Sequence, residues 1–236
     1  METSMRIMFL GLFFIVIGCS RQTPQAPATN FIQSSSMPVI DINELPKKFN
    51  KAVQSMKPVI VDTCTKQRRD MNCDFVIWID MDPNSPPNAF QTIDETGRPL
   101  LLFSKRLIDD MQNSDEIAFV IGHEAAHHVL GHLEHQKKSA AGGATLFEVL
   151  ATALGGSEKS MVVASDIGAA VGARNYSKNY ELEADQLGAQ MTLNAGFDPV
   201  LGAAYFTRIP DPSNKFLGTH PPNNDRIAAV KAAVGR

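Results

Sequence analysis

Apolar and polar positions change period along this chain, and each period predicts an element. Between Asp41 and about Arg69, Leu45, Phe49, Val53 and Met56 recur at spacings of four, four and three, the repeat of one helix face. Cys73 to Asp82, CDFVIWIDMD, is dense in β-branched and aromatic residues and predicts a strand stopped by Asp-Pro. NAFQTI (Asn88 to Ile93) and PLLLFS (Pro99 to Ser104) predict two more short strands around the turn signal DETG. Asn113, followed three residues later by Glu116, predicts a cap for a helix running through Ile117 to about His135. Further helices are predicted at about Ser177 to Asn194, Pro199 to Arg208 and Asn223 to Val234. Residues 140–173 are dense in Ala and Gly. They predict one or two helices, closely packed or lying near a membrane surface. The expected fold class is α+β, mostly helical with one small sheet.

The first twenty residues, METSMRIMFLGLFFIVIGCS, place Arg6 before an apolar run from Ile7 to Ile17. That run is shorter than the roughly 20 residues a membrane span needs, and it fits a signal-peptide core. It ends in VIGC, which resembles a bacterial lipobox and predicts lipid attachment at Cys19. The alternative is a plain anchor helix with an incidental cysteine. The chain then divides into a signal peptide (1–18), a Pro-, Ser-, Gln- and Thr-rich flexible tether (19–38) and a folded domain (39–236). Ser20 after the cysteine points to an outer membrane, with the domain facing the periplasm. In that oxidising compartment, Cys64 and Cys73 are expected to close a small disulfide loop; two free thiols are the alternative. A composition 44% hydrophobic and 20% charged suits a buried core. A formal net charge of −3 leaves no basic excess to neutralise phosphates, and nucleic acid is not an expected partner.

Four of the 6 histidines fall within VIGHEAAHHVLGH, Val120 to His132. HEAAH, His123 to His127, has the form His-Glu-x-x-His. Four residues of helix are about 400° of rotation, so both rings share a face one turn apart. That spacing lets two nitrogens reach one zinc ion at about 2.0–2.1 Å. Glu124 lies beside that position and is the candidate general base toward water acidified by the metal. The alternative, a helix of satisfied core histidines, leaves Glu124 buried among apolar residues without a strong partner. A catalytic zinc wants a third protein ligand, and ELEAD, Glu181 to Asp185, supplies it. Glu181 and Asp185 share a helix face, so Glu181 is the candidate ligand and Asp185 the acceptor that orients a ligand histidine. Glu183 is the rival ligand.

SDEIAFVIGHEAAHHVLGH, then ELEADQLGA, then THPPNNDRI together resemble the gluzincin metallopeptidases related to the CAAX prenyl protease, and among them the periplasmic lipoprotein members. The resemblance covers about Asn88 to Ala229. It implies a zincin-like domain with one Zn(2+) per chain, held by His123, His127 and Glu181, with Glu124 as general base and Asp185 behind the ligands. It also implies that His220 approaches the metal, either to hold the oxyanion of the tetrahedral intermediate or to cap the zinc at rest. Arg226 occupies the family's arginine position; a surface ion pair is the other reading. Asn88, Ala89 and Phe90 match the family's exposed edge strand, where an extended peptide adds by main-chain hydrogen bonds. Lys178 departs from the arginine relatives carry there, and a tetratricopeptide-like partner-binding domain is not expected. By helical rotation, His128 and His132 lie off the metal face, and neither they nor His135 is assigned a catalytic role.

The expected function is a zinc endopeptidase, lipid-anchored in a bacterial envelope, cleaving unfolded or misassembled envelope proteins. Its expected partners are polypeptide substrates and the membrane that holds its lipid, with no protein partner identified. A non-hydrolytic, chaperone-like lipoprotein using the same cleft is the alternative, and a zinc hydrolase of peptidoglycan cross-links a weaker third reading.

Overall fold

The computed structural model describes residues 45–135, 138, 141, 178–211 and 221–236. The signal peptide, Cys19 and its tether, nearly all of the Ala/Gly-rich segment 140–173 and His220 lie outside the described residues. Helix α1 (Lys47–Gln67) buries Phe49, Ala52, Met56, Ile60 and Cys64, at spacings of three and four. The stripe passes through Ala52 where Val53 was expected, and Val53 is half-buried at its flank.

The sheet has three strands, β1 (Val76–Asp80), β2 (Ala89–Ile93) and β3 (Pro99–Ser104). Their order is β1-β3-β2. β3 lies in the middle, parallel to β1 and antiparallel to β2, with Val76 opposite Leu100 and Ala89 opposite Phe103. All six of its residues are buried, which explains the unbroken apolar run PLLLFS. β1 is shorter than its apolar stretch. At its start Cys73 is tied to Cys64 in a disulfide, and at its end Asp80 turns the chain by accepting from Asp82 N at 3.0 Å. Asp94 closes the β2–β3 turn, with Oδ1 accepting from the backbone N–H of Thr96 and Arg98, and Gly97 takes the left-handed φ of 79°.

The disulfide spans a sequence separation of 9. Closing a loop of that size in the unfolded chain is worth about 2–3 kcal/mol. The variant Cys64→Ala/Cys73→Ser is therefore expected to unfold at a lower urea concentration with a similar slope. An unchanged midpoint would mean that the link adds no stability.

Helix α2 (Lys105–Asp110) leads into α3 (Ser114–Val129). Asn113 Oδ1 accepts from Glu116 N at 2.9 Å, the expected cap. The buried Glu116 carboxylate accepts from Gln112 N at 2.8 Å and from both terminal nitrogens of Arg208 at 2.8 and 2.7 Å. α1, the sheet and the later helices surround α3, so 12 of its 16 residues are buried. α3 was expected to continue to about His135. It stops at Val129, Gly131 takes a φ of 69°, and residues 132–135 form a new helical turn.

Helix α4 covers residues 178–194. Helix α5 (Pro199–Ala203) is capped by Asp198 and tightens into a 3-10 turn, Ala204–Thr207, where one continuous helix was expected. Helix α6 (Asn223–Ala233) ends the fold. Among the described residues, no helix is long and apolar enough to cross a membrane.

Candidate metal centre

α3 and α4 cross where Gly122 meets Gly188. A Cβ built on Gly122 would stand 2.7 Å from Gly188 O, and one on Gly188 would stand 2.8 Å from His123 N. Only two glycines let the backbones come this close. The contact brings the His123/His127 face of α3 against the Glu181/Asp185 face of α4. Gly188→Ala is expected to force these helices apart, costing about 1–3 kcal/mol and weakening metal binding with it. Thermal melts and zinc titration of the variant check both effects, and retention of both would show that the crossing tolerates a methyl group.

The ring nitrogens His123 Nε2 and His127 Nε2 lie 3.1 Å apart. Glu181 Oε2 is 3.5 Å from the first, and Oε1 is 3.4 Å from the second. One ligand atom from each of the three residues lies within 4.8 Å of the others. Atoms bound at about 2.0–2.1 Å to one tetrahedral ion stand about 3.3 Å apart, so the donor set fits a single ion. Glu124, Glu181 and Asp185 are all buried around it, against Arg226 as the counter-charge. This excess of carboxylates suits a divalent cation.

Behind the donors, Asp185 accepts from His123 Nδ1 at 2.9 Å, which leaves Nε2 as the lone-pair side of that ring. Arg226 donates to Asp185 through Nε and Nη2, at 2.7 Å each, and its guanidinium lies 4.0 Å from the centre of the Phe206 ring. It is 7% exposed, so it is not a surface ion pair. Burial opposes its charge, but Asp185, Glu181 and Glu124 outweigh that and raise its pKa. Burial likewise opposes protonation of His123, yet its bonds to Asp185 and Glu181 push its pKa up to about 10. A metal ion must displace that proton to bind.

A cleft of about 850 Å³ opens over these residues. His123, Glu124, His127, Glu181 and Arg226 line it, as do Asn88, Ala89 and Phe90. β2 is the outer strand on this side of the sheet, and Phe90 is 44% exposed.

His128 lies away from the cluster. Its Nε2 meets Asn72 O at 2.8 Å and its ring packs edge-on against Phe75. His132 does not follow the rotation expected of it. Its Nδ1 stands 3.0 Å from His127 Nδ1, and its Nε2 stands 3.2 Å from Glu183 Oε2. The rotation argument assumed an unbroken helix, and Gly131 breaks it. That glycine, following the last apolar turn of α3, was the available signal of a helix end. Burial, with His127 beside it, holds the His132 pKa down at about 3, so the ring is neutral. Glu183, the rival ligand, bonds to His132 and stands outside the three-residue donor group.

Residues 58–234, three quarters of the chain, match peptidase family M48. The chain is also similar to a Vibrio cholerae serotype O1 protein named as a beta-barrel assembly-enhancing protease. The two are 33% identical over an alignment of 129 residues, and the match covers 49% of this chain and 27% of that protein's length. A family match of this extent, over a His-Glu-x-x-His helix that meets a third acidic donor in a cleft, makes this chain a metallopeptidase of family M48.

Proposed function

We propose that the chain is a zinc-dependent endopeptidase, anchored by lipid on Cys19 in a bacterial envelope and facing the periplasm from the outer membrane, that hydrolyses unfolded or misassembled envelope proteins. The observation that carries the peptidase chemistry is the His123/His127/Glu181 donor group with Glu124 lining the same cleft. His123, His127 and Glu181 would hold the ion. Bound there, zinc would polarise the scissile carbonyl and acidify water. Glu124 takes the proton from the attacking water and passes it to the leaving amine. Asp185 and Arg226 keep His123 oriented through the reaction. The outer edge of β2, which pairs with no further strand among the described residues, is the place for an extended substrate to add by main-chain hydrogen bonds. Apolar lining from Phe119, Val120, Leu133 and Ile209 accepts the side chains that unfolded proteins expose. The relative's name supports a substrate in the envelope, and the VIGC segment supports the anchor. A purely holding role leaves the buried Glu124 beside the donor group without a use.

The test is cleavage of a reduced, carboxymethylated protein by the full chain. A chelator is expected to abolish peptide release, and zinc to restore it. Resistance to the chelator would overturn the metallopeptidase mechanism. Tight client binding with zinc in place and no cleavage would favour the chaperone-like reading.

A further inference from the structure

The two histidines of the donor group are supported differently. His123 Nδ1 meets a carboxylate directly, at 2.9 Å from Asp185. His127 Nδ1 meets another imidazole, at 3.0 Å from His132 Nδ1. We propose that His132, backed by Glu183, is a positioning residue that holds His127 in its ligating tautomer through an imidazole-to-imidazole relay. This inference rests on the metal-site reading above.

The direction of each bond follows from the donor inventory. For His127 to offer Nε2 to an ion as a neutral ligand, its proton must sit on Nδ1. That N–H has to donate, so His132 Nδ1 must accept. His132 then carries its own proton on Nε2, which donates to Glu183 Oε2 at 3.2 Å. The opposite set of protons would place an N–H on His127 Nε2, pointing among the donors, 3.1 Å from His123 Nε2. A carboxylate at the end of the chain accepts only, and so fixes the whole sequence in one sense.

The ring of His132 is held for this task. It is buried at 4% exposure and stacks on Tyr180, with centroids 4.3 Å apart and planes 16° from parallel. The break at Gly131 aims it back at α3: a continuous helix would carry position 132 about 140° around from His127. Gly131 takes a φ of 69°, which strains any residue with a side chain, and a Cβ there would crowd Arg68 Nη1 at 3.0 Å. α4 thus serves both ligand histidines, with Asp185 behind His123 and Glu183 behind His132.

The experiment measures zinc affinity of the full chain by competition with a chromophoric chelator. It compares the parent with His132→Phe, His132→Gln, Glu183→Ala and Glu181→Gln. Phe keeps the stacked ring without an acceptor; Gln keeps an acceptor and a donor. The expected result is a 10–100-fold weaker affinity for His132→Phe, partial recovery in His132→Gln and a smaller loss for the more exposed Glu183→Ala. In the zinc-loaded parent, nitrogen-edited NMR is expected to show the His127 proton on Nδ1, bonded to His132. If His132→Phe fails to fold, Glu183→Ala and the NMR tautomer decide. Parent-like affinity in both His132→Phe and Glu183→Ala, or His127 bound through Nδ1, would overturn the relay and leave the metal site standing. A parent that binds zinc no better than Glu181→Gln would overturn the metal site, and the relay with it.

Discussion

Glu124→Gln is expected to slow peptide-bond hydrolysis by about 10²–10⁴-fold, the range of a single general acid–base group, while zinc stays bound. Glutamine keeps the size and the polar contacts of the side chain but neither takes a proton at neutral pH nor returns one. Glu124 is 8% exposed and lines the cleft next to His123 in sequence, but it is not part of the donor group. The variant should therefore retain the parent's metal stoichiometry and melting temperature. Metal analysis alongside release of peptides from an unfolded protein separates the outcomes. Equal cleavage by parent and variant would remove Glu124 from the mechanism. Loss of metal together with activity would make it a determinant of the site and not its base.

The second large effect is on stability. Arg226→Met is expected to destabilise the chain by about 3–5 kcal/mol, because it removes the guanidinium from the Asp185 carboxylate at 0% exposure and leaves it only the bond from His123 Nδ1. The two 2.7 Å bonds and the contact with the Phe206 ring are lost together. Adding Asp185→Leu should recover part of that loss, since the carboxylate at 0% exposure then leaves together with its guanidinium partner, while Glu181 and Glu124 still lose the Arg226 charge. The double variant should still bind zinc weakly, because His123 Nδ1 has lost its acceptor. Urea midpoints and zinc affinities of both variants test this. An Arg226→Met chain as stable as the parent would mean that the guanidinium does not neutralise Asp185 in solution. Recovery of zinc affinity in the double variant would remove Asp185 from the support of the ligand ring.

The elements were legible wherever one local rule set them. PLLLFS is strand β3 with its expected bounds, and Asn113 caps α3 as its spacing to Glu116 required. The same holds for His123 and His127, whose shared face follows from the pitch of one helix. Boundaries were less legible where covalent or turn chemistry intervened. The disulfide at Cys73 and the Asp80 turn shorten β1 from both ends. The 3-10 turn after Ala203 divides the predicted helix at Pro199 to Arg208.

The pairing of α3 with α4 was legible only from the order of the motifs, because the residues involved stand more than fifty positions apart. Periodicity put Glu181 and Asp185 on one face and set Glu183 aside, but it does not say what that face meets. The mutual contact of Gly122 and Gly188 decides that, by letting two backbones approach to a distance any side chain would prevent. Arg226 was balanced between a surface pair and a role in the site. Its burial beneath the cleft, against Asp185 and Phe206, resolves the choice. His132 was placed wrongly because helical rotation carries no information past a left-handed residue.

The sequence by itself determined what each helix presents: two imidazoles and a carboxylate on α3, two carboxylates one turn apart on α4, and a cap at Asn113. All of these follow from spacing within a few residues, where backbone geometry is fixed. Beyond the pairing that the order of the motifs implied, tertiary structure decided how the presented groups meet. Asp185 came to His123 and Arg226, His132 came to His127, and β2 came to the cleft. These are contacts between distant segments, set by how closely the helices and the sheet pack around α3, and no local period encodes them.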